Sequence, residues 1–262
     1  MDNWLIVVPA LMFGALLGSF LGLAIERFPA CATGHCWLQR LCRPASHCVH
    51  CGHPLRLADL LPLISWLWLR GRCRYCQQAI SIYPCYIELL TALLLALLAV
   101  GCQRPALFAW LTLFSCAAVV LSEIDRRHLL LPDVLTLPLL WCGLLFNLQR
   151  SSQHLQHAVS GALCGYLSFW LLYWLYRVAR KREGLGRGDT KYFAAIGAWT
   201  GMSALPMVAT LAAATGIIIW LGKKVRREKT ILQPFGPCLS VAGWLVLIAQ
   251  QNGEPYGFNW LL

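Results

Sequence analysis

A chain of 262 residues that is 58% apolar and only 13% charged, with a mean hydropathy of +0.60, lies outside the range of soluble globular domains and belongs in a bilayer. Its formal net charge of +11 comes from 22 Lys and Arg against 11 Asp and Glu. These cations fall in short segments between apolar stretches, so they read as topology signals lying against anionic lipid and not as a nucleic-acid surface.

The first apolar stretch, residues 4–25 (WLIVVPALMFGALLGSFLGLAI), matches the ~20 residues needed to cross hydrocarbon. Asp2 precedes it without any Lys or Arg, so it is expected to be a retained first transmembrane helix and not a cleaved signal peptide. Residues 26–82 follow as a small extramembrane domain. Further apolar stretches near 83–101, 106–124, 134–148, 158–176, 190–203, 204–222 and 235–250 bring the candidate spans to eight, with 83–262 expected to form a bundle of about seven. If the N-terminus is outside, segments 26–82, 125–133, 177–191 and 223–229 are cytoplasmic, and they hold 20 of the 22 Lys and Arg. That asymmetry places the 26–82 domain in the cytoplasm and both termini outside. The expected fold is an all-α polytopic membrane protein of about eight transmembrane helices, with a small zinc-binding cytoplasmic domain between helices 1 and 2.

Within 26–82, "CVHC" (Cys48, Cys51) and "CRYC" (Cys73, Cys76) suit a tetrahedral four-cysteine zinc site, because each knuckle turns two thiolates toward one ion. A disulfide framework is the rival, disfavoured in a reducing cytoplasm, and a redox-active dithiol is another, which needs only one pair. Cys31, Cys36, Cys42, His35, His47, His50 and His53 crowd the same loop and are read as surface or packing residues. Cys85, Cys102, Cys116, Cys142, Cys164 and Cys238 sit in or beside spans as small apolar packing residues.

Ionisable groups at membrane depth are costly and are kept mainly where they face a polar cavity and perform a task. Asp125 falls at the exit of the third span and Asp189 at the entrance of the short 190–203 stretch, both at the cytoplasmic face. Two carboxylates at one depth on different helices can share a proton, which makes an acid and a base in one site. Asp133 and Glu88 read as helix-start residues, with a role in substrate or cofactor binding the less favoured reading of Glu88, and Glu123 is left unassigned. Gly184, Gly186 and Gly188 remove side chains around Asp189, as suits a site that admits extended peptide; a phosphate-cradling loop is disfavoured because no strand precedes it and no Lys-Ser/Thr ending follows.

At these residues the chain resembles the bacterial type IV prepilin peptidases, the prepilin leader peptidase / N-methyltransferase family of GxGD membrane aspartic proteases. The likeness runs through "GSFLGLAIERFP" (18–29), "LRGRCRYC" (69–76), "ISIYPCYIELLTA" (80–92), "LPDVLTLPLLWCGLL" (131–145), "GLGRGDTKYFAAIGAWTG" (184–201) and "PFGPCLSVAGW" (234–244). Gly22 stands where an asparagine is common, and "CVHC" lacks the usual proline after its first cysteine. The resemblance implies that Asp125 and Asp189 are the catalytic pair and that Cys48, Cys51, Cys73 and Cys76 are the tetracysteine set. It implies a bacterial inner-membrane endopeptidase whose termini are periplasmic. Its implied substrates are type IV prepilins and type II secretion pseudopilins, cut after the glycine that ends a short basic leader. In many members the new N-terminal residue is then methylated from S-adenosylmethionine, but no nucleotide-binding motif marks where. A proton-coupled transporter and a non-enzymatic pilus or secretion assembly factor are the alternatives; the first is expected to show internal repeats and mid-membrane charges, and neither is seen.

Overall fold

The computed structural model describes residues 4–28, 37, 39, 41, 46–48, 50–55, 59, 63–102, 104–181, 186–226 and 233–253. Its helices are α1 (Trp4–Arg27), α2 (Ile64–Trp68), α3 (Tyr83–Gly101), α4 (Pro105–His128), α5 (Asp133–Leu148), α6 (Ser152–Arg180), α7 (Arg187–Thr200), α8 (Leu205–Val225) and α9 (Gly236–Gly253). There is no strand among the described residues, only the isolated bridges His47 to Pro54 and Arg72 to Ala79. A helix lies at each of the eight expected spans, and α1, α3, α4, α6 and the stretch Met202–Val225 are long and apolar enough to cross a membrane. The remaining three, α5, α7 and α9, are shorter. Contacts divide the chain into two compact units, residues 1–116 and 117–262, with the division inside α4.

In the first unit α1 packs along α3. Gly14, Gly18 and Gly22 recur every four residues and so lie on one face of α1, the small-residue pattern that lets membrane helices approach closely. A Cβ at Gly14 would come within 2.6 Å of the Ala92 Cα, and one at Gly18 within 2.6 Å of the Glu88 Cα. The opposite side of α1 presents Leu5, Met12, Phe13, Leu16 and Phe20 outward, as a lipid-facing surface should. Trp37 is tied to this helix by its indole N–H, which donates to the Ala24 carbonyl at 2.9 Å.

In the second unit α7 is the core. From Asp189 to Thr200 every residue but Lys191 is buried. Small residues make this possible: Gly161 and Gly165 of α6 let that helix lie against the α7 backbone, and a Cβ at Gly165 would sit 3.1 Å from the Phe193 carbonyl oxygen. On another side α5 is pinned by Trp199 Nε1, which donates to the Leu139 carbonyl at 2.8 Å, and by Asn147, whose amide donates to the Ala198 carbonyl at 2.9 Å. At 14 residues α7 is about 21 Å long, well short of the ~30 Å hydrocarbon layer. It ends at Gly201, whose φ of 78° is open to glycine, so the expected span 190–203 is replaced by a helix starting and stopping three residues earlier.

Candidate metal centre and paired carboxylates

The two cysteine knuckles are built alike. Cys48 N–H donates to the His53 carbonyl and Gly52 N–H to the Cys48 carbonyl, both at 2.9 Å; Cys73 N–H donates to the Gln78 carbonyl at 2.9 Å and Gln77 N–H to the Cys73 carbonyl at 3.0 Å. Gly52 and Gln77, each four residues after its first cysteine, take the left-handed turn with φ of 69° and 57°. These turns fold Cys51 and Cys76 back, and the four Sγ atoms of Cys48, Cys51, Cys73 and Cys76 all lie within 4.8 Å of one another. The sequence-predicted set is therefore assembled as one cluster that can hold a metal ion, and the donor type suits zinc. The backbone N–H groups of Cys51 and His50 point at the Cys48 sulfur and lower its pKa to about 6. Cys76 receives the Gln78 N–H in the same sense, but desolvation and the neighbouring thiols outweigh it and push Cys76 up to about 11. His53 stacks on Tyr75 at 3.6 Å between ring centroids, a packing role. Cys31, Cys36, Cys42 and His35 fall outside the described residues.

Asp125 lies in the last turn of α4, because that helix continues past the expected exit to His128. Asp189 is the third residue of α7. Both are buried, at 5% and 9% exposure, yet neither is ion-paired; the structure's ion pairs among described residues involve other carboxylates. A backbone N–H serves each instead: Gly236 donates to Asp125 Oδ2 at 2.7 Å, and Gly186 to Asp189 Oδ2 at 3.2 Å. At Gly236 only glycine fits, since a Cβ would lie 2.8 Å from that same Oδ2.

One turn deeper, Ser240 of α9 donates to the Ala118 carbonyl of α4 at 3.3 Å and receives the Tyr192 hydroxyl of α7 at 2.7 Å. Ser240 is one turn beyond Gly236, Tyr192 one turn beyond Asp189, and Ala118 two turns before Asp125. This buried bridge fixes α4, α7 and α9 at one level, and the Gly236 to Asp125 contact and Asp189 lie toward the helix ends beyond it. There the two carboxylates are close enough for their charges to act on each other.

The other acidic residues separate from this pair. Glu123 is buried and holds Arg126 (Nε to Oε2 2.9 Å) and Arg127 (Nε to Oε1 3.0 Å). Asp133 begins α5 as expected, but its exposed carboxylate takes Lys191 Nζ of α7 at 2.7 Å. Glu88 is not at a helix start: α3 begins five residues earlier, and Glu88 is buried with Leu63 N–H on Oε2 at 2.8 Å. Gly188 presses on Leu131, where a Cβ would come within 2.8 Å of the Leu131 Cβ, and Gly184 lies outside the described residues. Gly236, Ser240 and Tyr192 were missed from sequence; the only local signal was a Gly-Pro pair opening a helix.

Two domain families divide the chain along these lines. Residues 12–102 match the Bacterial Peptidase A24 N-terminal domain, which spans the cysteine cluster, and residues 112–221 match the Type IV leader peptidase family, which contains Asp125 and Asp189. The chain is 40% identical to the prepilin leader peptidase/N-methyltransferase of Aeromonas hydrophila over 94% of its own length and 91% of that protein. It is 42% identical to the protein of that name in Dickeya chrysanthemi (95% and 94%) and 39% identical to that of Burkholderia pseudomallei strain K96243 (89% and 82%). This chain belongs to the type IV leader peptidase family, as a multi-pass inner-membrane enzyme. No solved structure matches it.

Proposed function

We propose that the chain is an aspartic endopeptidase that removes the basic leader of type IV prepilins and type II secretion pseudopilins after a glycine, at the cytoplasmic face, and then N-methylates the new N-terminal residue. What supports the peptidase reading is that Asp125 and Asp189 lie within electrostatic reach of each other, both buried, unpaired by cations among the described residues, and each held through Oδ2 by a glycine N–H. With Oδ2 so engaged, Oδ1 of each would be the atom that exchanges protons with water and substrate. A water between the two loses its proton to the ionised carboxylate as its oxygen attacks the glycine carbonyl carbon. The protonated carboxyl gives its proton to the carbonyl oxygen. Collapse of the tetrahedral diol breaks the C–N bond, and the amine leaves with a proton returned from the same pair. No covalent enzyme intermediate forms.

Cys48, Cys51, Cys73 and Cys76 would hold a structural zinc ion, which would cross-link the 26–82 domain. The charge asymmetry supports a cytoplasmic cysteine domain, periplasmic termini and basic segments resting on lipid headgroups, without nucleic acid as a partner. The division into a first helix (1–25), a tetracysteine domain (26–82) and a protease bundle (83–262) follows from the same topology.

Purified protein incubated with a synthetic prepilin tests the reading. Leader loss by mass spectrometry, abolished by Asp125→Asn and by Asp189→Asn, is the expected result. Cleavage at parental rate by either variant refutes the pair. Uncleaved prepilin with folded parent refutes peptidase function and favours an assembly factor.

A further inference from the structure

The short helix α2 turns apolar side chains away from the protein. Ile64, Leu67 and Trp68 fall at i, i+3 and i+4 and so share one face. All three are exposed, Leu67 at 67% and Trp68 at 84%, which for side chains of this size signals a surface that something covers. The opposite face holds the helix down: Trp66 packs on Gly71, where a Cβ would come within 2.9 Å of its ring. Both ends of α2 are tied to the start of α3. Leu63 N–H, at the N-terminal end, donates to Glu88 Oε2 at 2.8 Å, and the Gly71 carbonyl accepts from Ile80 N–H at 2.7 Å, three residues before Tyr83 opens α3. The chain leaves α2 through Arg70 and Gly71, both left-handed at φ of 50° and 68°, and this turn puts the exposed Arg70 and Arg72 within four residues of Trp68.

We infer that α2 is an interfacial anchor, seated in the membrane leaflet on the side of the cysteine domain, with Ile64, Leu67 and Trp68 among the upper acyl chains and Arg70 and Arg72 at the headgroup phosphates. The depth of α2 puts it there. Gly18 of α1 lies against Glu88, and Glu26, the first charged residue of α1, comes about 12 Å further along that helix. Tyr83 opens α3 about 7.5 Å before Glu88, so the hydrocarbon boundary stands roughly 8–12 Å from the Glu88 level. A glutamate oxygen reaches about 5 Å from its own Cα, so Leu63, bonded to it, lies no higher than that boundary. The lipid-facing stripe of α3, Tyr86, Leu89, Leu93 and Leu97, continues through Ile82, exposed at 66%, into the segment bonded to Gly71, so the surface that meets lipid on α3 runs on to the exit of α2. Tryptophan with flanking arginine is the composition of an interfacial belt, and the arginine charges suit anionic headgroups. The same charges disfavour the other occupants: a basic leader would be repelled, and a two-fold contact with a second copy would set Arg70 and Arg72 against themselves. Cys73 follows Trp68 by five residues, so an anchored α2 holds one cysteine knuckle against the headgroups.

The anchor stands or falls independently of whether the chain cleaves or methylates prepilin, and its test needs neither activity. The unaltered full-length protein is placed in nanodiscs of phosphatidylcholine and phosphatidylglycerol in which one lipid carries a photoreactive diazirine near the top of its acyl chain. Label is expected on peptides covering 63–69 as well as on the outer face of α3. Hydroxyl-radical oxidation of Trp68 is expected to be at least about fivefold slower than that of Tyr75, the less exposed aromatic of the neighbouring knuckle. Absence of lipid label on 63–69 where 86–97 is labelled, or oxidation of Trp68 as fast as that of Tyr75, overturns the anchor. Crosslinks between copies through 63–69, without lipid label there, assign the face to a second copy and overturn it as well. Trp68→Ser should lower the label on 63–69 by about threefold or more while the label on α3 stays within about twofold, which also shows that the variant is folded. Unchanged label on 63–69 in that variant refutes insertion through the Trp68 side chain.

Discussion

Replacing Gly236 by alanine perturbs the carboxylate pair without touching either carboxylate. The new Cβ would stand 2.8 Å from Asp125 Oδ2 and 3.0 Å from both the Cβ and the Cγ of Asp125, about 0.5 Å inside ordinary contact. Rotating the carboxylate relieves only the first of these, so the start of α9 must retreat. The 2.7 Å hydrogen bond from Gly236 N–H then lengthens past useful range. A hydrogen bond to an ionised group contributes about 1.5–3 kcal/mol, so if it orients Asp125 for proton transfer its loss should slow the chemical step about tenfold to a hundredfold. The assay is the initial rate of leader removal against prepilin concentration: kcat should fall while KM stays within about twofold, because the substrate-binding surface is unchanged. Gly222→Ala is the matched control, since its Cβ meets nothing within 4 Å and its helical backbone accepts alanine. A Gly236→Ala protein with kcat within about twofold of the parent would refute the claim that this N–H orients Asp125.

Asp133→Asn should cost little activity, because its pair with Lys191 is exposed and such pairs contribute about 0–1 kcal/mol; a loss as deep as that of Asp125→Asn would move it into the site. Ser240→Ala should loosen the level shared by α4, α7 and α9 and lower the thermal midpoint, with Tyr192→Phe giving a smaller drop, measured by unfolding in detergent. Purified protein should carry about one zinc per chain, less in Cys48→Ser. Since the Cys48 thiolate exists above about pH 6 and is protonated below it, and the other thiols release protons on binding, zinc affinity should fall steeply as pH drops through 6; pH-independent affinity would refute thiolate ligation. A cysteine replacing exposed Arg187, in a chain whose native cysteines are shown unreactive, should be labelled by a polar thiol reagent from the cytoplasmic side, and labelling from outside alone would invert the topology.

Features governed by residues close together in the chain were legible without coordinates. An apolar run partitions into lipid by its own composition, which is why a helix stands at each expected span. A Cys-x-x-Cys pair bends through its own backbone bonds, so Cys48 with Cys51 and Cys73 with Cys76 announced a cluster. Asp125 and Asp189 were conspicuous because so few carboxylates occur beside spans. What joins them was not legible: Gly236 reaches Asp125 across 111 residues, and the Tyr192–Ser240–Ala118 bridge depends on three helices arriving at one depth. Glu88 looked like a helix-start charge, yet packing of α1 on α3 through Gly14 and Gly18 buries it, and Leu63 of the cysteine-bearing segment claims one of its oxygens. Helix crossing distances and depths are set by side-chain volumes summed over many remote contacts, so whether a glycine such as Gly18 closes an interface or one such as Gly22 leaves a cavity is decided only when the helices meet.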